Sequence, residues 1–258
     1  MQIELELLAP ARNKSIGIAA INCGADAVYI AGPSFGAREA AGNPISDIRE
    51  LAEYAHKYSA KVYAVVNTII YDDELKAAQK LLWELYNAGV DAFIVQDLGI
   101  FRMERPPLPL FASTQTNIRT PQQAKFLSSL GFKRLILERQ LSLAQIKEIR
   151  RSTNCDLEFF IHGAICVSYS GQCYLSQRLA SRSANRGACI QACRSDYDLV
   201  DSKGKVLVRN RPFLSLKDLN LSAHIPALIE AGITSFKIEG RLKNTSYVKN
   251  VVKEYRLI

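Results

Sequence analysis

Short apolar runs alternate with amphipathic stretches along almost the whole chain. Each run is nearly continuous in hydrophobicity, which is typical of strands in a parallel sheet that is covered on both faces. The stretches between them carry apolar residues at helical spacing, as in 47–58, where Ile48, Leu51, Ala52 and Ala55 share one face. The predicted strands are 5–9, 27–30, 61–66, 92–95, 110–113, 134–137, 157–161 and 235–238.

Eight strands that alternate with helices over 258 residues predict an α/β fold, a (β/α)8 TIM-like barrel. A doubly wound open sheet is the alternative. Amphipathic helices over 73–88 and 246–257 fit the same alternation. More than 70 residues separate the seventh strand from the eighth. We therefore predict a single barrel domain over 1–258 with a long insertion at about 163–234.

Composition is that of a globular protein, with 48% hydrophobic and 22% charged residues. The first residues lack the pattern of a signal peptide, and no apolar run reaches the roughly 18 residues that cross a bilayer. We therefore expect a cytoplasmic protein with no membrane partner. The formal net charge of +8 favours an anionic partner, such as nucleic acid or a carboxylate-rich metabolite. A solvated basic surface without a specific partner is the alternative.

Four of the six cysteines fall within one 28-residue window of the predicted insertion: Cys166, Cys173, Cys189 and Cys193. Thiols that converge from one segment rich in Gly, Ser and Arg can complete the ligand set of a metal ion or an iron–sulfur cluster. Two disulfides or unrelated buried thiols are the alternatives, although disulfides are rare in intracellular proteins. The separate Cys23 and Cys155 are expected to be small core residues.

Polar residues directly follow most of the predicted strands. Barrel enzymes place their active sites at the carboxyl ends of the strands, so these residues are the candidate site. Candidates for catalysis are Asn67, Gln115, Glu138, His162 and Glu239. Candidates for substrate binding are Arg38, Arg139, Lys237 and Arg241. Helix capping or another structural role is the alternative for each of them.

Several sequence patterns of other enzyme classes are missing. The chain contains no HExxH, P-loop or GxGxxG pattern and no Ser-His-Asp order. A metalloprotease helix and a nucleotide-binding loop are therefore unsupported. His162 could act as a general acid or base, as a ligand, or as a structural residue.

The segment 158–176, which includes the first two clustered cysteines, resembles the signature of the U32 peptidase family, long called collagenase-like. Similar stretches extend along the chain, among them 24–29, 35–38, 113–115 and 237–241. The segment 185–194 resembles the branch of this family that contains the tRNA uridine 5-hydroxylation protein.

The resemblance implies a 4Fe–4S protein that uses prephenate as the source of a hydroxyl group for an RNA base. It implies that Cys166 and Cys173 are cluster ligands, whereas the later ligands differ between branches and are assigned here to Cys189 and Cys193. Zinc or disulfides could replace the cluster in a sample exposed to air. The resemblance also implies an additional C-terminal region outside this chain, and some relatives act as a pair of homologous subunits.

Three functions remain open. The first is hydroxylation of tRNA or another RNA, and the second is peptide hydrolysis, as the family name says. The third is RNA binding by a non-catalytic partner whose cluster is structural. Amide hydrolysis needs an activated nucleophile, for which only a thiolate near His162 can be suggested. Candidate RNA contacts near the cysteines are Arg182, Arg186 and Arg194, with a structural role as the alternative for each.

Overall fold

The computed structural model describes residues 4–37 and 42–258. Eight parallel strands form a closed barrel, and three further strands lie in the chain between the seventh and the eighth barrel strands. The strands are β1 (Glu6–Ala11), β2 (Ala27–Ala31), β3 (Lys61–Val66), β4 (Ala92–Val95), β5 (Leu110–Ala112), β6 (Arg134–Ile136), β7 (Asp156–Gly163), β8 (Tyr197–Val200), β9 (Val206–Arg211), β10 (Leu219–Asn220) and β11 (Ser235–Ile238).

Helices cover the outside of the barrel and connect most of its strands. They are α1 (Lys14–Ile21), α2 (Ile45–Lys57), α3 (Leu75–Asn87), α4 (Pro121–Leu130), α5 (Leu143–Ser152), α6 (Leu175–Ala180), α7 (Ile225–Glu230) and α8 (Thr245–Arg256). A short 3-10 helix, Leu98–Arg102, takes the place of an α-helix between β4 and β5.

Strand pairing decides between the two predicted architectures. Each barrel strand pairs in parallel with the next from β1 to β7, β7 pairs with β11, and β11 pairs with β1. The ring therefore has no free edge. This confirms the predicted barrel and excludes the alternative of a doubly wound open sheet. All eight predicted strands are present, because continuous apolar runs identify strands that are buried on both faces.

The insertion between β7 and β11 is less regular than the barrel. It contains α6, α7, the antiparallel hairpin of β8 and β9, and β10, which pairs with the end of β7. Most residues of the hairpin are exposed. The insertion begins at the carboxyl end of β7, so it extends the face on which barrel enzymes carry their active sites.

The barrel interior holds a chain of buried charges. Arg134 forms ion pairs with Glu6 and Glu158, and the Nζ of Lys237 lies 2.6 Å from Glu158 Oε1. Glu158 is fully buried, and Ser235 Oγ donates a hydrogen bond to Glu6. Two carboxylates and two cations therefore balance one another inside the barrel, which offsets part of the cost of burying them.

This balance predicts a large effect for the change Glu158→Gln. The amide would leave Lys237 and Arg134 without their shared carboxylate, so we expect the free energy of unfolding to fall by about 3–5 kcal/mol. Chemical denaturation measures it. The matched control is Glu50→Gln. Glu50 is 59% exposed in its pair with Lys14, so this change should lower the free energy of unfolding far less. Equal losses in both variants would contradict the role of the buried chain.

Candidate active site at the carboxyl ends of the strands

A pocket of about 430 Å³ opens at the carboxyl ends of the barrel strands. Inward-facing side chains of the barrel, including Tyr29, Ile94 and Phe160, form its apolar floor. The start of the insertion forms a wall. Its polar and charged lining residues include Asn67, Gln115, Arg139, Lys237, Glu239 and Arg241. The predicted convergence of strand ends and insertion on one site is therefore present.

All four clustered cysteines line this pocket. Each is a free thiol of intermediate burial. Burial raises the pKa of the Cys193 thiol, and so do the neighbouring Cys166, Cys189 and Cys173, while Arg194 opposes them. The thiols therefore lie close enough to influence one another electrostatically. Within residues 4–37 and 42–258, no three His, Cys, Asp or Glu side chains are grouped so that they could hold a metal ion.

The loop that carries Cys166 and Cys173 is fixed to the barrel by its backbone. Ser170 N donates to Glu138 Oε1 at 2.7 Å, and Cys173 N donates to Asn185 Oδ1 at 3.1 Å. Gly171 has a φ of +72°, and a Cβ there would collide with the backbone oxygen of Gln115. The loop thus follows a path that only glycine permits at this position.

We expect Gly171→Ala to displace this loop. The added Cβ meets a backbone atom, which cannot move away as a flexible side chain can, in addition to the strain of a positive φ. The matched control is Gly204→Ala, since Gly204 has a φ of +80° but nothing within 4 Å of an added Cβ. Thermal unfolding should show a loss of stability for Gly171→Ala that is larger by about 1–3 kcal/mol. Equal losses would contradict the close contact.

Cations outnumber carboxylates among the residues that line the pocket. Arg139 donates to Ala164 O at 2.9 Å and to Glu239 Oε2 at 3.2 Å, and its guanidinium lies over the ring of Phe160. Burial lowers the pKa of Lys237, although Glu158 opposes this shift. Arg241 is also buried beside the pocket. Lys237 is already balanced by Glu158, so the guanidinium groups of Arg139 and Arg241 face the single carboxylate of Glu239, and the pocket favours an anionic ligand.

The residues predicted to be catalytic divide into two groups. Asn67 lines the pocket, where its Oδ1 accepts from Ala37 N and its Nδ2 donates to Ser113 Oγ. Gln115 and Glu239 line it as well. Glu138 is instead fully buried beneath the loop, where it accepts from Ser170 N and Arg139 N. Glu138 therefore anchors the loop, and its catalytic role stays a prediction.

His162 faces away from the pocket. The register between β7 and β11 shifts after Lys237, which pairs with Phe160, so that His162 pairs with Ile238. This irregularity interrupts the alternation of side chains and turns the imidazole toward α8. There its Nδ1 lies 3.3 Å from the hydroxyl of Tyr255. Burial lowers its pKa. His162 thus packs against a helix rather than lining the pocket, and its catalytic role stays a prediction.

The predicted cations for RNA and substrate have different surroundings. Arg186 pairs with Glu74 and lies over Tyr71, and Arg194 donates to Ile165 O, Ser215 Oγ and Leu216 O. Arg186 thus ties the insertion to the segment after β3, and Arg194 links parts of the insertion to one another, whereas Arg182 lies on the exposed surface. Their contact with RNA stays a prediction. Arg38 lies outside the described residues.

Sequence reasoning missed several residues of the site. Asn185 fixes Cys173, and the exposed rings of Tyr169 and Tyr174 line the pocket mouth. The sequence does contain an indication of the tyrosines. Two aromatic residues in a polar segment beside the cysteines are not expected to be part of the hydrophobic core, which favours a binding role.

A family model described as Peptidase family U32 matches residues 13–258. The chain belongs to peptidase family U32. It is 55% identical over 252 residues to the 23S rRNA 5-hydroxycytidine C2501 synthase of Escherichia coli, covering 98% of this chain and 39% of that protein. It is 40% identical over 263 residues to tRNA hydroxylation protein P1 of Bacillus subtilis, covering 98% and 62%. The chain therefore spans less than two thirds of the length of either relative.

A solved structure of another U32 peptidase has the same fold. It superposes with a TM-score of 0.59 at 13% identity and covers 93% of this chain and 94% of that one. At this identity the likeness concerns the fold alone. No helix in the described part of this U32 member is long and apolar enough to span a membrane.

Proposed function

We propose that this U32 member hydroxylates an RNA base, with a 4Fe–4S cluster held by its four clustered cysteines and prephenate as the source of the hydroxyl group. The observation that carries the proposal is the convergence of four free thiols and three cations on one pocket. The names of the two relatives, an rRNA hydroxycytidine synthase and a tRNA hydroxylation protein, support the substrate class.

The donor set suits a cluster better than a single ion. Four half-buried thiols around one pocket match the ligation of 4Fe–4S clusters by four cysteine thiolates. Cysteines that ligate a 4Fe–4S cluster each bind a different iron atom, so they need not converge on one point as the ligands of a single tetrahedral ion do. Gln191 N donates to Cys189 Sγ at 3.4 Å, the kind of contact that tunes a bound cluster. A bound cluster would supply one-electron chemistry.

The same pocket suits a dicarboxylate with an apolar ring. Arg139 and Arg241 offer planar guanidinium groups that can bind carboxylates through two hydrogen bonds each. Glu239 accepts from Arg139 and so orients its guanidinium. The aromatic floor of Tyr29 and Phe160 would contact the ring of prephenate.

Peptide hydrolysis, the activity in the family name, has less support from this site. A thiol peptidase needs a base beside its nucleophile. The suggested base, His162, packs against Tyr255 of α8 and does not line the pocket that holds the thiols. The thiols of the pocket therefore lack the histidine base that was suggested for peptide hydrolysis.

An in vitro assay separates the two functions. Anaerobically prepared protein is incubated with prephenate and RNA extracted from cells that lack the modification, and the RNA is digested to nucleosides for mass spectrometry. The proposal predicts a nucleoside heavier by one oxygen atom that depends on prephenate. The same preparation is given a collagen-like peptide. Peptide cleavage without RNA modification would replace the proposal by the peptidase function.

A further inference from the structure

Two tyrosines stand exposed at the mouth of the pocket. Tyr169 is 52% exposed and Tyr174 is 69% exposed, and both line the pocket beside Cys166 and Cys173. Large aromatic side chains lose little conformational entropy when they are covered, and they gain favourable contacts when a flat partner stacks on them. Their position beside the thiols, on the outer edge of an otherwise charged pocket, points to a ligand that reaches the pocket from solvent.

The backbone between the two tyrosines is held firmly although their rings are exposed. Ser170 N binds Glu138, Gln172 N donates to Tyr169 O at 3.1 Å, and Gly171 packs directly on Gln115 O. The rings are therefore presented by a fixed loop, and less conformational entropy is lost when a ligand stacks on them.

Positive charge accompanies the rings. The guanidinium of Arg119 lies over the ring of Tyr169, with its Cζ 3.9 Å from the ring centroid. Helix α6 begins directly after Tyr174. Two exposed arginines follow, Arg178 near the end of this helix and Arg182 just beyond it. Aromatic faces that are combined with nearby arginines are the features by which proteins bind single-stranded nucleic acid, where bases stack and phosphates pair with cations.

We propose that Tyr169 and Tyr174 form a stacking platform for the bases of single-stranded RNA, from which the target base enters the pocket. This inference rests on the proposed function and adds to it the residues that receive the substrate. A base must leave its helical stack before an enzyme can reach its ring, and stacking on aromatic side chains offsets that cost. RNA is favoured over a peptide as the occupant because the surrounding charge is positive and both flat rings are more than half exposed, even with Arg119 on Tyr169.

The platform is tested by the binding of a fluorescently labelled single-stranded RNA oligonucleotide, followed by anisotropy at low and moderate salt. Tyr169→Ala and Tyr174→Ala should each weaken binding about ten- to hundredfold, the range expected for one lost base–aromatic stack. Tyr169→Phe and Tyr174→Phe keep the ring and should remain within about threefold of the unchanged protein. Circular dichroism confirms that each variant is folded.

The matched control is Tyr58→Ala. Tyr58 is 61% exposed and ends α2, just before β3 and so at the opposite end of the barrel, where its loss should leave RNA binding unchanged. Alanine variants that bind as the unchanged protein does, while that protein still modifies RNA, would overturn the platform and leave the proposed function intact. Failure of the unchanged protein both to bind and to modify RNA would overturn the two together. Lost binding of a collagen-like peptide with unaltered RNA binding would also overturn the platform.

Discussion

Replacing Cys166 or Cys173 with alanine is expected to remove the iron from anaerobically prepared protein and to abolish RNA modification. Each thiolate would ligate one iron of the proposed cluster, and removing one leaves an open coordination site at the edge of a pocket that solvent reaches. Iron and sulfide analysis, together with the broad absorbance near about 400 nm that is typical of thiolate-bound iron–sulfur clusters, measures the loss.

The control for this prediction is Cys23→Ala. Cys23 packs beside the apolar core between the barrel and its helices, away from the pocket, so its replacement should leave the iron content intact. Cys189→Ala and Cys193→Ala should behave like the first two variants. Equal iron in all variants would refute the ligand assignment, and loss with Cys166 and Cys173 alone would restrict it to the first pair.

The second large effect is expected from Arg139→Met. This change removes a guanidinium from the pocket and leaves Glu239 without that partner, so a dicarboxylate should bind more weakly by roughly 2 kcal/mol or more. Arg241→Met should act in the same direction. Isothermal calorimetry with prephenate measures both, and thermal unfolding checks that the variants are folded.

Arg209→Met serves as the control for the arginine variants. Arg209 lies on the exposed β9, where its contact with Asp198 spans 3.9 Å, so its loss should not affect binding of the dicarboxylate. If prephenate bound Arg139→Met and Arg241→Met as tightly as the unchanged protein, the dicarboxylate site would have to lie elsewhere.

The barrel and the place of the site could be predicted from the sequence because both depend on regular patterns. Apolar runs identify buried parallel strands, and the carboxyl ends of such strands meet on one face. The pocket is lined by Asn67, Gln115, Arg139, Lys237 and Glu239 for that reason. The cysteines join them because the insertion starts at the end of β7.

The surroundings of His162 and Glu138 could not be predicted because they depend on contacts between distant segments. A register shift against β11 turns His162 away from the pocket, and no feature of β7 itself indicates it. Glu138 is drawn to the backbone of Ser170 only once the insertion has folded over the barrel. Likewise, Arg194 donates hydrogen bonds to three acceptors in the insertion that lie more than 20 residues from it in the sequence.

The central claim, hydroxylation of an RNA base, is tested most directly in a strain that lacks the gene for this protein. Mass spectrometry of nucleosides from its tRNA and rRNA should show the loss of one hydroxylated pyrimidine nucleoside. Restoring the gene should bring this nucleoside back, and restoring the Cys166→Ala variant should not. An unchanged set of nucleosides in the deletion strain would contradict the account.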